Sequence, residues 1–169
     1  MKILPACKTC VSSGFLCTSC QEKLDTEVLT QFELDLAKDL LVLEEEEDFG
    51  FLKNISFFKA IDFEDVVIFV VGKKDKIKIT QKLINWIKET YEVDELIFIE
   101  QTKKPRATLE SLIAPNKLIS LNEIFLATGD IEFKGVISKK DQSTILFTKE
   151  ELEELILELT GEKIRIEFE

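Results

Sequence analysis

Histidine is absent from the sequence, and tryptophan, methionine and tyrosine occur once each. A chain without histidine has no Ser-His-Asp or Cys-His relay, and no imidazole group for metal binding or acid–base catalysis. The GxxxxGKS/T phosphate loop and the HExxH metalloprotease motif are also missing. Carboxylates are abundant, but none lies in a recognisable catalytic motif. We therefore predict a protein that is not an enzyme and has no small-molecule substrate.

Long apolar runs are missing as well. A membrane-spanning helix needs about 20 consecutive apolar residues, and no run approaches this length. Residues 1–20 lack the continuous apolar stretch of a signal peptide, because Pro5, Gly14 and the cysteines interrupt them. These absences predict a cytoplasmic protein with no membrane contact. Cytosolic thiols stay reduced, so paired cysteines there bind metal more often than they form disulfides.

The four cysteines form two CxxC pairs separated by six residues: Cys7, Cys10, Cys17 and Cys20. Each CxxC closes a tight turn that presents two thiolates to one ion, and the spacer contains Gly14, which lets the second turn fold back. Four thiolates complete a tetrahedron and leave no position for water. The pattern therefore predicts a closed, structural Zn²⁺ site that supplies folding free energy to a segment too short for its own core.

Other interpretations of the cysteines remain open, namely two disulfides, a redox CxxC or an iron–sulfur cluster. A redox CxxC should follow a strand and open a helix, and we expect neither motif to do so. Phe15 and Leu16 lie on the spacer between the pairs. They either dock on a partner or pack onto the main domain.

The formal net charge of −11 opposes wholesale binding of nucleic acid. One basic strip interrupts this acidic chain, where Asp75 is the single acid among five lysines between residues 72 and 82. The strip begins at Gly72, and its lysines are Lys73, Lys74, Lys76, Lys78 and Lys82. These residues are candidates for phosphate contact, although the alternative is a solvated loop and helix start.

Hydrophobic periodicity predicts alternating helices and strands along the rest of the chain. An apolar stripe of period three to four predicts a helix at 26–43, and a β-branched run predicts a buried strand at 66–71. Further helices are predicted at 80–91, after Pro105 and after a capping box at Thr148, and further strands at 95–100, 117–126, 131–138 and 164–168. The result is an α+β protein with one β-α-β-α-β-β-α-β sheet covered by helices. Its predicted parts are a zinc module (1–24), a helix with an acidic linker (25–50) and an α+β domain (51–169).

Four segments of the chain resemble a known family. They are residues 7–20, 67–73 (Val-Ile-Phe-Val-Val-Gly-Lys), 109–122 and 159–169. In these segments the chain resembles small archaeal KH-domain RNA-binding proteins, also described as NusA-like transcription elongation factors, and the match extends over nearly its whole length. The resemblance implies a KH-like fold, an N-terminal four-cysteine segment and RNA contact. It also implies a cytoplasmic association with ribosomes or RNA polymerase.

The chain departs from this family at the loop that grips RNA. A KH unit holds the nucleic-acid backbone with a GXXG loop, and residues 60–110 contain no such motif. The GXXG contact with the nucleic-acid backbone is therefore lost, or the charge of the lysines in the strip beginning with Gly72 replaces it. The first hypothesis is a non-enzymatic RNA-binding accessory factor of the translation or transcription machinery with a degenerate KH unit. The alternative is a protein-interaction module that docks on the ribosome or RNA polymerase without gripping RNA.

Overall fold

The computed structural model describes residues 1–63 and 65–169. These residues form two compact units, Met1–Gln101 and Thr102–Glu169. Each unit combines helices with a three-stranded sheet, so the predicted α+β class is confirmed. The prediction of one sheet is corrected, because the strands form two sheets of three strands each. A strand that the periodicity did not reveal, Phe57–Phe63, completes the first sheet.

The boundary between the units differs from the predicted domain boundaries. We predicted divisions after residues 24 and 50, whereas the structure divides the chain after Gln101. The cysteine segment and the long helix belong to the same unit as the first sheet, because their buried apolar side chains form one core with it. Burial of the helix stripe against this sheet is the physical reason that residues 1–50 do not separate.

The described residues of the first unit form four α-helices, three strands and two 3-10 helices. In chain order the α-helices and strands are α1 (Lys8–Ser13), α2 (Thr18–Asp25), α3 (Gln31–Leu43), β1 (Phe57–Phe63), β2 (Val66–Val71), α4 (Gln81–Tyr91) and β3 (Glu95–Glu100). Strand β2 is central and pairs antiparallel with β1 and parallel with β3. Five of its six residues are buried, which explains the continuous β-branched run in the sequence.

Glu33 joins α3 to the edge of the first sheet. Its Oε2 accepts the Thr30 backbone N–H at 2.8 Å, while the Thr30 hydroxyl accepts the Glu33 N–H, which together form a capping box. Its Oε1 accepts the Ala60 N–H of β1 at 2.9 Å. Glu33 is only 1% exposed, so both amides depend on this carboxylate. The box begins α3 at Gln31, five residues after the predicted start at 26.

Two helices and three strands make up the second unit. They are α5 (Pro105–Leu112), β4 (Leu118–Phe125), β5 (Ile131–Ile137), α6 (Lys149–Thr160) and β6 (Ile164–Phe168). Strand β5 is central, antiparallel to β4 and parallel to β6. The predicted hairpin is confirmed, with Gly129 at φ 91° in its turn, and so is the capping box between Thr148 and Glu151.

From α3 onward, the first unit has the same order of α-helices and strands as the second: helix, antiparallel strand pair, helix, parallel strand. The first unit differs by a 3-10 helix, Glu47–Asn54, between α3 and β1. In each unit a short 3-10 turn follows the central strand, at Lys76–Lys78 in the first and at Lys139–Asp141 in the second. The predicted single domain at 51–169 did not reveal this repeat, because the division between the units lies inside it, after Gln101. No helix in the described ranges is long and apolar enough to cross a membrane.

Candidate metal centre and lysine turn

Helices α1 and α2 bring the four cysteines together. Cys7 and Cys17 are the N-cap residues of these helices, and Cys10 and Cys20 lie three positions further on, in the first turns. The second cysteine of each pair is buried and the first is exposed. All four Sγ atoms lie within 4.8 Å of one another. The predicted cysteine set therefore converges on one point and could hold a metal ion.

The sulfur atoms are close enough to share one tetrahedral ion. Zn–S bonds of about 2.3 Å place tetrahedral sulfurs about 3.8 Å apart, within the 4.8 Å limit of the cluster, so the Cys7 and Cys10 Sγ atoms at 2.9 Å would move apart on binding. The four cysteines are free thiols, and the Cys7 and Cys10 Sγ atoms are 2.9 Å apart, well beyond a disulfide bond of about 2.05 Å. The disulfide interpretation is therefore not the one that this structure adopts.

Backbone amides already point at the sulfurs. The Cys17 N–H donates to Cys10 Sγ at 3.2 Å. A backbone hydrogen bond from Cys20 lowers the pKa of the Cys17 thiol to about 7, whereas the hydrogen bond shared with Cys7 raises the pKa of the Cys10 thiol to about 12. Amides that stabilise negative sulfur orient thiolate ligands and reduce the repulsion among them.

One expectation about the CxxC motifs is wrong. We expected neither motif to open a helix, yet both do, because each first cysteine occupies an N-cap position. A helix N-terminus lowers the pKa of a thiol, and this is the setting of many redox cysteines. Neither motif follows a strand of its sheet, since α1 and α2 precede β1. The convergence of four sulfurs, and not of two, is what distinguishes this site from a redox pair.

The cysteine module packs into the core of the first unit. Cys10, Val11 and Cys20 are buried in the same cluster as the apolar side of α3. The Lys8 ammonium lies 3.6 Å from the buried carboxylate of Glu44. At the tip of the spacer, Phe15 is 82% exposed, whereas Leu16 is half-buried against the core. The two spacer residues therefore separate, with only Phe15 presented to solvent.

The second candidate site is the segment Gly72–Lys78, which we call the lysine turn. Its fixed point is Asp75, a buried carboxylate that accepts the Ser56 backbone N–H at 2.9 Å and the Lys78 ammonium at 2.5 Å. Burial alone raises the pKa of Asp75, but the hydrogen bonds from Lys78 and Ser56 outweigh it and hold the pKa below its ordinary value. The Gly72 N–H also donates to the Ser56 carbonyl, at 2.9 Å. The turn is thus tied to the start of β1.

The six predicted RNA-binding residues divide into two groups. Gly72 is buried, and Lys78 and Lys82 have acidic partners in Asp75 and Asp48. The remaining lysines are exposed and make no ion pair with any described residue. They are Lys73, Lys74 and Lys76. Among the six predicted residues, these three ammonium groups alone are available to an anionic ligand without breaking an internal ion pair.

The backbone amide of Lys74 in this turn also has an internal acceptor. Lys74 has a positive φ of 63°, and its N–H donates to Glu100 Oε1, at the end of β3, at 2.9 Å. Turns of this kind present backbone amides to anions. Here a carboxylate of the same unit occupies that position, so a bound phosphate would meet side-chain ammonium groups and not this amide.

A second lysine pair, which we did not predict, lies in the corresponding position of the second unit. Lys139 and Lys140 follow the central strand β5 and are exposed, and Asp141 comes next. In the first unit Lys73 and Lys74 follow β2, with Asp75 next. The signal was present as a repeated Lys-Lys-Asp triplet, but its meaning depends on the two units having the same order of elements.

Gly72→Ala is expected to lower the free energy of unfolding by about 1–3 kcal/mol, the usual cost of overpacking. A Cβ at this position would overlap Asp75 Oδ2 and displace the carboxylate from the Ser56 amide. Gly50→Ala is the matched control, because a Cβ there has no neighbour within 4 Å. Urea unfolding of both variants checks this, and equal stability of the two would contradict the role of Asp75 as the fixed point.

No protein-family model and no curated protein matches the chain. Among solved structures, the chain is similar to one described as "Crystal structure of APE1850", with 17% sequence identity and a TM-score of 0.49. The similarity covers 68% of this chain and 88% of that chain.

Proposed function

We propose that the chain is a non-enzymatic accessory factor that contacts RNA phosphates through the lysine turn and is stabilised by zinc. The observation that carries the RNA contact is the set of three exposed lysines, Lys73, Lys74 and Lys76, on a turn anchored by a buried aspartate. Ammonium groups held at a fixed place and without internal acidic partners attract phosphate. The net charge of the chain is −11, so a cluster of three lysines without acidic partners differs in sign from the chain as a whole, which favours a role in binding an anion.

Zinc is the metal that the donor set favours. Four cysteine thiolates form a closed tetrahedral set, which suits Zn²⁺ or an iron–sulfur centre and excludes Mg²⁺ and Ca²⁺, which prefer oxygen ligands. When bound, zinc supplies folding free energy and no catalytic chemistry, because all four positions are filled. Cys7, Cys10, Cys17 and Cys20 would hold it at the N-termini of α1 and α2.

The KH resemblance supports the proposal through the order of elements. Each unit contains strand, 3-10 turn, helix and parallel strand, in which the two helical elements stand where a KH unit has its helix pair. Between the 3-10 turn and α4 lie only Ile79 and Thr80, so the GXXG grip is missing. We infer a degenerate KH unit that keeps charge attraction and has lost close backbone contact.

RNA binding of this kind is expected to be weak, sensitive to salt and largely indifferent to sequence. Replacing Lys73, Lys74 and Lys76 by glutamine removes about three phosphate contacts. The slope of log K against log salt concentration for a single-stranded RNA should therefore fall in magnitude by about 2, at about 0.7 per contact. Fluorescence anisotropy across a salt series measures this slope.

The control variant carries the same change of charge elsewhere. Lys103, Lys104 and Lys163 are exposed lysines of the second unit, and their replacement by glutamine should leave the slope nearly unchanged. An equal loss in both variants would mean that only net charge matters. No loss in the first variant would remove the lysine turn from the proposal.

A protein-interaction module is the alternative, and the exposure of Phe15 favours it. An aromatic ring that is 82% exposed on a metal-stabilised tip is typical of a docking contact, and the acidic chain suits a basic partner. In this alternative the chain docks on a ribosomal or RNA polymerase protein without gripping RNA. Association with such a particle that survives nuclease treatment and the lysine substitutions favours it over RNA contact.

A further inference from the structure

The outer edges of two strands are closed by glutamates from neighbouring helices. At the edge of the first sheet, Glu33 accepts the Ala60 N–H of β1. At one edge of the second sheet, Glu153 of α6 accepts the Ile166 N–H of β6 at 2.8 Å. Such contacts occupy amides that would otherwise be open to another strand. A helix carboxylate therefore accepts an outward amide at one edge strand of each sheet.

Strand β4 forms the opposite edge of the second sheet and has no such cover. None of its eight residues is buried. Its sequence, Leu-Ile-Ser-Leu-Asn-Glu-Ile-Phe, contains one charge and none of the lysines or prolines that commonly protect edge strands. A bulge between Leu118 and Ser120 affects only the first residues, so the remainder is a regular strand paired with β5.

The backbone of β4 presents alternate amides away from β5. At the hairpin end, the Leu126 N–H donates to the Asp130 carbonyl at 2.9 Å, and amides in a strand alternate in direction. The amides of Leu121, Glu123 and Phe125 therefore point outward. Phe133, the residue opposite Glu123, donates its own N–H to the β6 side, which agrees with this assignment. Within the described chain these three amides have no acceptor.

We propose that β4 pairs antiparallel with β4 of a second copy of this chain, about a two-fold axis at Asn122. The axis lies normal to the sheet, so each outward amide meets an outward carbonyl and the helix-covered faces lie on the same side. Pairing joins the two sheets into one of six strands, a common size for a sheet. The order in the joined sheet is β6-β5-β4-β4-β5-β6.

The register at Asn122 follows from charge and apolar matching. It places Glu123 opposite Leu121 of the other copy, whereas an axis at Glu123 would oppose two carboxylates, which destabilises a pair. It also brings Phe125, which is 74% exposed, near Ile119 of the other copy, which is 58% exposed. Glu123 is the one charged residue of the strand, and in this register it faces no other carboxylate. The strand therefore matches a second copy of itself better than it matches a strongly basic segment, which would need several acidic partners.

The association is expected to be weak and reversible. Two paired strands bury less than the roughly 1,000 Å² of a typical stable interface. Two chains of charge −11 also repel one another, so salt should strengthen the dimer. The native chain should therefore show a monomer–dimer equilibrium in sedimentation experiments over a concentration series at moderate salt.

Two substitutions at the axis test the register. Asn122→Asp opposes two carboxylates and Asn122→Lys opposes two ammonium groups, so each variant alone should dimerise at least about tenfold more weakly than the native chain. An equal mixture should regain association as a mixed dimer, because Asp then faces Lys. Asn54→Asp, an exposed asparagine of the first unit, is the control and should dimerise like the native chain. Circular dichroism confirms that each variant is folded.

Several outcomes would overturn the proposal. A native chain that stays monomeric across the series excludes it, as does a dimer that neither Asn122 variant weakens, because another surface must then hold the copies together. A mixture that stays monomeric excludes the register at Asn122. Hydrogen exchange gives an independent test, since the amides of Leu121, Glu123 and Phe125 should become protected as the concentration rises. Unchanged exchange at these amides in a dimer would also contradict β4 pairing.

Discussion

Cys20→Ser is expected to release the metal and to unfold the segment of α1 and α2. These helices have six and eight residues, which is too short for stability in isolation. At the proposed zinc site, an apparent binding free energy of about 10–16 kcal/mol, as in other small cysteine sites, would add to the packing of the segment against α3 as folding free energy. Helix content by circular dichroism and the metal-to-protein ratio of the same sample measure both effects. A chelator added to the native chain should produce the same loss of helix.

Ser19→Ala is the matched control for this substitution. Ser19 lies inside the second CxxC pair and is exposed, so the control should keep its metal and its helix content. Zinc close to one ion per chain in the native sample supports the proposal, and iron in its place would reassign the site. A Cys20→Ser variant with full metal content and an unchanged spectrum would contradict a four-thiolate site.

Metal affinity should fall as the pH is lowered. Binding requires thiolates, and the pKa of Cys17 is lowered to about 7 by the Cys20 amide while the pKa of Cys10 is raised to about 12 by its bond with Cys7. At neutral pH the Cys10 proton must leave when the ion enters, so binding releases protons. Acidification through and below pH 7 then returns protons to the thiols and displaces the ion.

Glu33→Ala is expected to lower the free energy of unfolding by about 2–4 kcal/mol. The buried Ala60 amide loses its acceptor at about 1–3 kcal/mol, and loss of the part-buried Thr30 cap costs about 1 kcal/mol more. The amides belong to Thr30 at the start of α3 and to Ala60 in β1, so the change affects a helix and a sheet edge together. Chemical denaturation followed by circular dichroism measures the loss.

The second capping box supplies the matched control for Glu33. Glu151 accepts the Thr148 N–H at 2.7 Å in the same local arrangement, but this box is exposed to solvent and Glu151 has no bond to a strand. Glu151→Ala should therefore cost only about 1 kcal/mol, the usual value for a helix cap. Equal losses in the two variants would show that the Ala60 bond contributes nothing.

Sequence patterns predicted well the elements that are determined by residues close together in the sequence. Strand β2 is a continuous apolar run and α6 begins with a complete capping box, so both were placed correctly. Strand β1 was missed because Phe-Phe-Lys-Ala-Ile-Asp-Phe carries two charges and no clear alternation. Its extended form depends on pairing with β2 and on Glu33, which are contacts distant in sequence.

The candidate sites also differ in whether residues close in sequence or distant in sequence determine them. The convergence of the cysteines follows from their spacing, and the structure bears it out. Spacing did not predict which lysines form ion pairs. Lys78 pairs with Asp75 of the same turn, whereas Lys82 pairs with Asp48, 34 residues earlier in the chain. The three-dimensional structure is therefore needed to tell lysines that are free to bind an anion from lysines that already form an ion pair.

The closure of each sheet within its own unit has a consequence for how the chain folds. Every strand pairs only with strands of the same unit, so no sheet has to wait for residues from the other half. The parallel pairs join residues 29 and 31 positions apart, as in Val66 with Glu95 and Phe133 with Ile164, so neither pair has to close a loop across the other unit. During synthesis, the first sheet can form once β3 has left the ribosome, before β4 to β6 have emerged.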